Sequence, residues 1–449
     1  MKKAVILSGL LAATLYGADS LESWFSEGKA HGNIKYYFIE TNKENSATDL
    51  DSSAYANSIG GQLGYTTAKL YGFTLGATFM TTNPFALPET VDTSIIGRDN
   101  GVRIENDPSG QVAQEGFSVL GEAYLDYQYQ GVDVWYGRKT INTPLVNAKE
   151  VRMLPSTVEG GDLSYSYANG IKIGGGYLDK FKQRTSNSFV NIVEHALGAN
   201  MEEITGHKRG NVLPAYLEWH DAHHAIRLYN YYSKDFMNVT YFDSAHKHQL
   251  NDNFSWTAGL QGMYQRGIGH SVGAMKADEA SYGGKINSRF FGLKASVDYA
   301  QSGLLLAYTN VLGSRNHEHN SLVMPWDGTP LFTDMITSND LFTSNYGKGL
   351  TSSGGYIAGT QGIKVAYTQK FDFTGVEGFK AVLSYAQYDN SDFAKTQKDK
   401  NLVLAYGIGR FDLALKGIWV ANNTGADTAE TITQYDKLTQ YRVIANYKF

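Results

Sequence analysis

From about residue 31 to the C-terminus, the chain consists of segments in which hydrophobic and polar side chains alternate. Residues 440–449 form the clearest of these segments. One face carries Tyr441, Val443, Ala445, Tyr447 and Phe449, and the other carries Arg442, Ile444, Asn446 and Lys448. A period of two is the pattern of a β-strand with two different faces. Each segment is roughly 8 to 12 residues long, about the length that a tilted strand needs to cross a bilayer.

Two kinds of connection separate these strands. The short ones contain turn residues, as at 71–72, 130–131 and 169–170. The long ones are polar, and they span residues 41–57, 82–114, 139–162, 180–211, 266–288, 313–359 and 422–437. Tight periplasmic turns that alternate with long extracellular loops are typical of outer-membrane barrels.

This alternation predicts an all-β fold, a transmembrane antiparallel up-and-down β-barrel. The segments number about 18, a size at which a barrel encloses water. Junctions near Lys234 and Lys247 are weak in the pattern, and merging strands there would reduce the number to 16. We expect residues 19–449 to form this single barrel domain.

The composition agrees with a barrel and excludes several other classes. The 449 residues include 31 tyrosines, 48 glycines, 8 prolines and no cysteine, so strands and turns are favoured and a disulfide framework is excluded. No segment after the first residues approaches the ~18 consecutive apolar residues of a transmembrane helix. Residues 1–18, with Lys2 and Lys3 followed by an apolar run and small residues, match a secretory signal peptide. The formal net charge of −5 argues against nucleic-acid binding.

Residue parity predicts which charges line the lumen, because a lysine or arginine facing lipid at mid-membrane costs about 2 to 4 kcal/mol. Charged residues of opposite parity to the aliphatic and aromatic ones should therefore face water. In the last strands and the first one, which close on each other, this rule selects Lys364, Lys370, Lys380, Arg410, Lys416, Arg442, Lys448 and Lys35, with Asp412 as the only acid. We expect these cations to form one contiguous basic wall.

Acidic residues are predicted to face this wall across the pore. Glu122, Asp126 and Asp133 have inward parity in the fourth and fifth strands, which lie roughly opposite the last ones in the ring. A cationic wall opposite an acidic one would create a transverse field that attracts anions and orients dipolar solutes. Lys172, Arg227 and Lys294 also have inward parity, but nearby Glu218 and Asp298 could pair with them.

Residues 139–162 form a long segment without a period, and such a loop in a repetitive β protein is usually functional. The surrounding motifs are Gly137-Arg138, Thr143-Pro144-Leu145, Arg152-Met153-Leu154-Pro155 and Val158-Glu159-Gly160. Their spacing resembles the third-loop signature of the OprD family of outer-membrane carboxylate channels. The early 32–37 and late 441–444 segments are similar to that family's first and last strands.

The resemblance implies an 18-stranded monomeric or loosely trimeric barrel. It also implies that the third loop folds inward as a constriction and that a basic ladder guides carboxylate-bearing solutes. Arg138 and Arg152 match the loop positions, and Glu150 and Glu159 are further candidates there. Arg410, Lys416, Arg442 and Lys35 match the general location of the ladder. Because lysine outnumbers arginine, bidentate recognition of a carboxylate is not assured.

Two further motifs are candidates for a hydrolase site and a metal site, and the sequence favours neither. Residues 269–273 fit the G-x-S-x-G pattern of hydrolases, but they lie in a predicted loop rather than in an α/β sheet. His220, His223 and His224 surround a predicted turn and lack obvious further ligands, so we expect solvated histidines and no metal or cofactor.

The predicted partners are small solutes, outer-membrane lipid and lipopolysaccharide. The barrel assembly machinery is a further predicted partner through Phe449, and a homotrimer is possible. Two alternatives stay open, a general diffusion porin and a surface adhesin with a closed lumen.

Overall fold

The computed structural model describes residues 18–45, 51–85, 102–103, 112–113, 116–149, 152–198, 200–206, 210–314, 318–336, 343–345, 350–390, 395–423 and 436–449. In it, 18 antiparallel strands form one closed barrel. The predicted fold class is therefore confirmed, and the smaller strand number is excluded. Residues 1–17, to which most of the predicted signal peptide belongs, lie outside the described residues.

The barrel strands follow each other around the ring in chain order. They are β1 Lys29–Glu44, β2 Ser52–Thr66, β3 Phe73–Pro84, β4 Phe117–Tyr129, β5 Val132–Lys139, β6 Thr157–Ser166, β7 Ile171–Lys182, β8 Leu213–His220, β9 His224–Ser233, β10 Met237–Asn251, β11 Phe254–Gly267, β12 Lys285–Tyr299, β13 Ser302–Leu312, β14 Thr360–Lys370, β15 Phe379–Asn390, β16 Lys395–Ile408, β17 Phe411–Asn423 and β18 Lys437–Lys448.

In the part of the chain that the structure describes, the elements outside the barrel strands are short. The helices are α1 Leu21–Ser26, α2 Ile192–Leu197, α3 Met201–Thr205, α4 Ser271–Ala277 and α5 Glu279–Tyr282, with 3-10 turns at Gly354–Tyr356 and Asp372–Thr374. Short strands lie at Val102–Arg103, Val112–Ala113, Val190–Asn191, Glu318–His319, Thr343–Asn345 and Thr351–Ser353. Among the described residues, no helix has the length and apolar character needed to span a membrane.

The sheet closes between β1 and β18, and the C-terminal residue Phe449 forms hydrogen bonds across this junction. The Gly32 amide donates to the Phe449 carbonyl at 3.1 Å, and the Phe449 amide donates back to Gly32 at 3.0 Å. Both edges of the sheet are therefore paired along the junction, which removes the unpaired backbone groups that a membrane could not satisfy.

The two faces of the barrel differ as the alternation predicts. In β1, Ile34 is 56% exposed, whereas Lys35, Tyr37 and Ile39 are 4%, 1% and 0% exposed. The same holds around the ring, where aliphatic and aromatic residues such as Leu63, Leu293 and Leu383 cover the outside. The outer surface is thus suited to lipid and the inner one holds the polar side chains.

Tight turns join the strands at one end, which we call the turn end, and longer segments join them at the other, the loop end. The two weak junctions of the sequence pattern have different outcomes, because the one near Lys234 is confirmed and the one near Lys247 is wrong. Residues 234–236 form a three-residue connection at the loop end, whereas Lys247 lies inside β10, which continues to Asn251. The connection between β5 and β6 is also shorter than 139–162, because the ladder with β7 already begins at Thr157.

Candidate functional site

The connection of residues 140–156, which we call the third loop, packs inside the barrel. Leu145 and Val146 are 0% and 1% exposed and belong to a cluster with Tyr231 of β9. Met153 and Leu154 are 1% and 0% exposed and cluster with Tyr37 and Ile39 of β1 and with Phe117 of β4. Since β9 and β1 are on different sides of the ring, the loop crosses the lumen. This crossing narrows the space between the walls.

Residues 326–328 of the connection 313–359, the seventh loop, pair with the third loop. The Asn147 amide donates to the Trp326 carbonyl at 3.0 Å, and the Gly328 amide donates to the Leu145 carbonyl at 3.0 Å. A Cβ atom at position 328 would lie 2.3 Å from the Pro144 carbonyl oxygen, so only glycine permits this approach. Two loops that are far apart in sequence therefore form one body in the lumen.

Trp326 and Asp327 extend this body to the connection 183–212, the fourth loop. Trp326 is fully buried, and its Nε1–H donates to the Ile192 carbonyl at 2.8 Å. The Asp327 carboxylate accepts a hydrogen bond from Ser156 at 2.5 Å and forms an ion pair with Arg184. We call residues 326–328 the latch, because their main-chain and side-chain groups hold the third, fourth and seventh loops together.

Two of the predicted wall cations face each other across neighbouring strands. Lys416 of β17 is the register partner of Arg442 of β18, and the charge of Lys35 also acts on Lys416. Arg442 is 2% exposed, and its guanidinium donates to Gln440 at 2.7 Å and to the Tyr37 hydroxyl at 3.3 Å. Within the described residues, neither Lys416 nor Arg442 forms an ion pair with a carboxylate. We call Lys35, Lys416 and Arg442 the cation triad.

The remaining predicted wall cations are dispersed. Lys364 faces inward but donates to the main-chain oxygen of Asp334 at 2.5 Å. Lys370 and Lys380 are exposed register partners at the turn end. Arg410 lies in the turn before β17 rather than in a strand, and Lys448 pairs with Asp412 at 2.5 Å. The expected contiguous wall is therefore a compact triad plus separate charges at its margins.

Asp412 is also not the only acid on this side of the barrel. Asp399 of β16 is fully buried on the inner face, where its register partners Ala386 and Val420 are also buried. Gln397 donates to the Asp399 carboxylate at 2.9 Å. Parity missed this residue because Lys398 and Lys400 flank it and make that stretch polar on both faces.

Arg138 does not share the inward parity of its neighbours. Trp135 is 8% exposed, whereas Tyr136, which has the same parity as Arg138, is 74% exposed. The Arg138 side chain pairs with Glu159 at 2.8 Å, and Lys180 pairs with the same carboxylate at 2.5 Å. The Arg138 cation is therefore partly compensated, in a cluster at the loop end where it shares one carboxylate with Lys180.

The other predicted charges of the third loop have different surroundings. Arg152 is half-buried next to Met153, and Glu150 lies outside the described residues. Arg138 also stacks on the ring of Phe189, 4.3 Å from its centre. The side chains that the third loop places towards the middle of the lumen are therefore mainly apolar, and the two arginines contribute less.

The predicted acidic residues divide into two roles. Asp126 pairs with Lys139 at 2.6 Å, and Glu122 accepts hydrogen bonds from the Thr140 amide at 3.0 Å and from Thr78 at 2.7 Å. These two carboxylates hold the start of the third loop. Asp133 accepts from Gln128 at 3.0 Å and lines a cavity.

Two cavities separate the third loop from the wall opposite the triad. One of ≈ 280 Å³ is bordered by Asp133, Asp162 and Glu218. The other, of ≈ 360 Å³, is bordered by the ion pair of Arg227 with Asp243. Further lining residues include Lys172, Tyr216 and Tyr229 in the first and Lys149, Tyr241, Lys294 and Asp327 in the second.

Stacked aromatic rings lie among the acidic and basic side chains of this wall. Tyr216 and Tyr229 stack with ring centres 5.2 Å apart, and Tyr229 and Tyr231 stack at 5.8 Å. The hydroxyl of Tyr216 donates to Asp162 at 2.7 Å, and that of Tyr229 donates to Glu218. The sequence interpretation missed this arrangement because it assigned Asp162 to the loop, although alternate positions of 214–218 and 227–231 carry the signal.

The G-x-S-x-G segment forms no nucleophile–base pair. Ser271 is fully buried, and its hydroxyl lies 3.4 Å from the carbonyl oxygen of Ile268. The His270 ring turns away to the Asp235 carboxylate at 2.8 Å. The segment therefore serves to start α4 after Gly269, which has a φ of 72°.

Comparison with known proteins agrees with this architecture. The chain matches a family model described as outer membrane porin, OprD family, over residues 23–449. No protein of curated function matches it significantly.

Solved structures with similar folds include three outer-membrane proteins of Pseudomonas aeruginosa. OccK8 (OprE) of Pseudomonas aeruginosa is 16% identical with a TM-score of 0.71, and the alignment covers 95% of this chain and 99% of that one. OpdK of the same organism, in a structure with vanillate, is 15% identical with a TM-score of 0.71 and the same coverage. P. aeruginosa OccK2 (OpdF), in complex with glucuronate, is 15% identical with a TM-score of 0.67 and again the same coverage. The resemblance seen in the sequence is confirmed, and the chain belongs to the OprD family of outer-membrane porins.

Proposed function

We propose that this porin takes up small solutes that carry a carboxylate, and that the cation triad binds the carboxylate transiently. The observation that carries the proposal is the register pairing of Lys416 with Arg442 on the inner face. Two cations at adjacent strand positions repel each other, so an anion between them relieves the repulsion as well as gaining its own attraction. Such a site favours anions without enclosing them.

The opposite wall would orient the rest of the solute. Asp133, Asp162 and Glu218 lie beside stacked tyrosines, a surface that suits hydroxyl groups, amines or the edge of a ring. Two of the related structures contain vanillate and glucuronate, and both molecules combine a carboxylate with a ring that carries oxygen substituents. We infer that this chain prefers solutes of the same general kind.

The constriction would be the combined surface of the third and seventh loops. Hydrogen bonds at the latch join the loops to each other. The Leu145 amide, which donates to the Tyr231 hydroxyl, and Gln265 of β11, which donates to the Val323 carbonyl, fix the two loops to the wall, so these packed residues would set the gap to the triad. Solutes would pass by exchanging weak contacts, because binding must be loose enough to permit exit. We propose no chemical step, and Ser271, the one serine of a hydrolase-like motif, is buried.

Reversal potentials in planar bilayers would test this function. In a KCl gradient we expect preference for chloride, and glucuronate or benzoate-type anions added on one side should reduce chloride current by competing for the triad. Preference for potassium, with no competition by carboxylates, would contradict the proposal.

Liposome swelling separates the two alternatives. A general diffusion porin would admit neutral sugars and carboxylates at rates that depend on size alone. An adhesin with a closed lumen would give no swelling and no conductance steps. Binding to lipopolysaccharide, recognition of Phe449 by the assembly machinery and trimer formation remain predictions from the sequence.

A further inference from the structure

A cluster of four histidines lies at the turn end, away from the lumen. His224 of β9 and His246 of β10 are register partners, with ring centres 4.6 Å apart. His248 is two residues further along β10, with its ring 6.4 Å from that of His246. His223, in the turn before β9, has its ring 6.4 Å from His224, 6.5 Å from His246 and 6.4 Å from His248. Four imidazoles, one from a turn and three from the strands β9 and β10, thus share one small region.

The cluster is on the outside of the barrel. His224 and His246 have opposite parity to Tyr229 and Tyr241, which are buried on the inner face. Tryptophans border the cluster on both sides. The ring of Trp219 stacks on that of His224 with ring centres 5.7 Å apart, and the ring centre of Trp256 is 5.2 Å from that of His246. Tryptophan is typical of the membrane interface. The histidines therefore face the headgroup layer and take no part in the solute pathway.

Hydrogen bonds define the tautomers of two of these rings. His224 Nδ1 is 3.1 Å from both carboxylate oxygens of Asp221, and His223 Nδ1 is 3.2 Å from the Lys247 carbonyl oxygen. These oxygens can only accept, so Nδ1 carries the proton and Nε2 keeps its lone pair. A histidine that donates one N–H to a carboxylate or carbonyl while its other nitrogen is available is the usual state of a metal ligand. An anion would need the opposite arrangement, with N–H groups directed outward.

We propose that His223, His224, His246 and His248 bind one divalent transition-metal ion, with Asp221 as a positioning residue. Imidazole ligands suit Zn²⁺, Ni²⁺ and Cu²⁺. With zinc–nitrogen distances of about 2.0–2.1 Å, two rings on a tetrahedral ion have centres about 5 Å apart, close to the separations of 4.6 to 6.5 Å in the cluster. Among the described residues no group of three donors is already assembled for a metal, so the rings of His246 and His248 must rotate towards the Nε2 atoms of His223 and His224, which keep their hydrogen bonds. His223 and His224 are exposed, and His246 and His248 are half-buried, which leaves room for this rotation.

Such a site would join the turn between β8 and β9 to the strand β10. It would stiffen the turn end from outside without changing the lumen. The proposal is independent of which solute the channel carries, and its test measures binding rather than conductance.

Calorimetric titration of the whole, tag-free porin in detergent with ZnCl₂ tests the site. We expect one Zn²⁺ per chain at pH 7.5, and a loss of at least ten-fold in affinity for the double variant His224→Gln/His246→Gln. Asp221→Asn should keep the stoichiometry and weaken binding about 10- to 100-fold, as loss of a carboxylate behind a ligating histidine does. His270→Gln, which removes an exposed histidine at the loop end, is the matched control and should bind as the wild type does.

A second readout guards against misfolded variants. Cu²⁺ bound to the wild-type protein should give an electron paramagnetic resonance spectrum with hyperfine structure from several nitrogens. The double variant should lack this hyperfine structure. Heat-dependent gel mobility, which is typical of a folded barrel, checks that the variant is folded. Wild-type affinity no greater than that of the double variant would overturn the proposal. Equal loss of binding in His270→Gln would overturn it as well.

Discussion

Lys416 and Arg442 are directly opposed in the ladder between β17 and β18, on the inner face of the barrel. Replacing one cation by glutamine should weaken anion attraction at this level by on the order of 1 kcal/mol, or roughly five-fold in permeability ratio. We expect Lys416→Gln and Arg442→Gln each to lower chloride selectivity and carboxylate competition, as measured by reversal potentials.

Lys400→Gln provides the control for that experiment. Lys400 pairs in register with Tyr385 and Trp419 on the outer face. The substitution Lys400→Gln therefore removes the same charge from the protein without altering the lumen. Equal shifts in Lys400→Gln and Lys416→Gln would mean that net charge, and not the triad, determines selectivity.

Trp326→Ala should open the constriction. Loss of a fully buried tryptophan costs about 3–5 kcal/mol, and here the loss falls on the contacts between the third, fourth and seventh loops rather than on the strand ladders. We expect higher and noisier single-channel conductance in bilayers, with the barrel still folded. Trp419→Ala removes a tryptophan that is 38% exposed on the outer face and should leave conductance unchanged. Unchanged conductance in Trp326→Ala would contradict the assignment of the latch.

Arg138→Gln should change ion selectivity less than Arg442→Gln does. The Arg138 side chain is 35% exposed and already paired with Glu159, and such ion pairs contribute about 0 to 1 kcal/mol to stability. The same bilayer measurement, made on both variants, compares them directly. A larger effect at Arg138 would show that this residue acts on permeating ions, as its match to the loop motif predicts.

His319 should make the seventh loop sensitive to acid. Burial lowers the pKa of His319 to about 4, although its ring nitrogens lie 2.9 Å from the Ser321 carbonyl and 3.2 Å from the Leu350 carbonyl. In an opened loop the pKa would return to about 6.5. The opened form therefore gains a proton as the pH falls from about 6.5 to 4, and the packed form loses stability over that range.

Hydrogen exchange of peptides covering residues 318–336 at pH 7.5, 5.5 and 4.5, corrected for intrinsic rates, measures this effect. We expect faster exchange at the lower pH values in the wild type and a flat response in His319→Gln, whose side chain does not titrate. An identical acid response in both proteins would show that another group is responsible.

The alternation of side chains along the sequence by itself specifies most of the barrel. Parity identified Lys35, Lys416 and Arg442 as inward-facing because a strand places every second residue on the same face. Turn residues located most ends of the strands, but the junction near Lys247 and the end of the third loop at residue 162 were wrong. Residue parity does not assign the faces of a polar stretch such as 398–400, because both of its faces carry charges.

Only the tertiary structure decided which charges act together and what occupies the lumen. Arg138 follows Gly137, whose φ is 126°, and its pairing with Glu159 depends on the register of β5 with β6, which local sequence does not specify. The contact of Gly328 with Leu145 and the assembly of His223 and His224 with His246 join residues that are distant in the chain or lie on different strands. Periodicity is a local property and reports the face of a residue, whereas these contacts depend on strand register and loop packing, which only the closed barrel fixes.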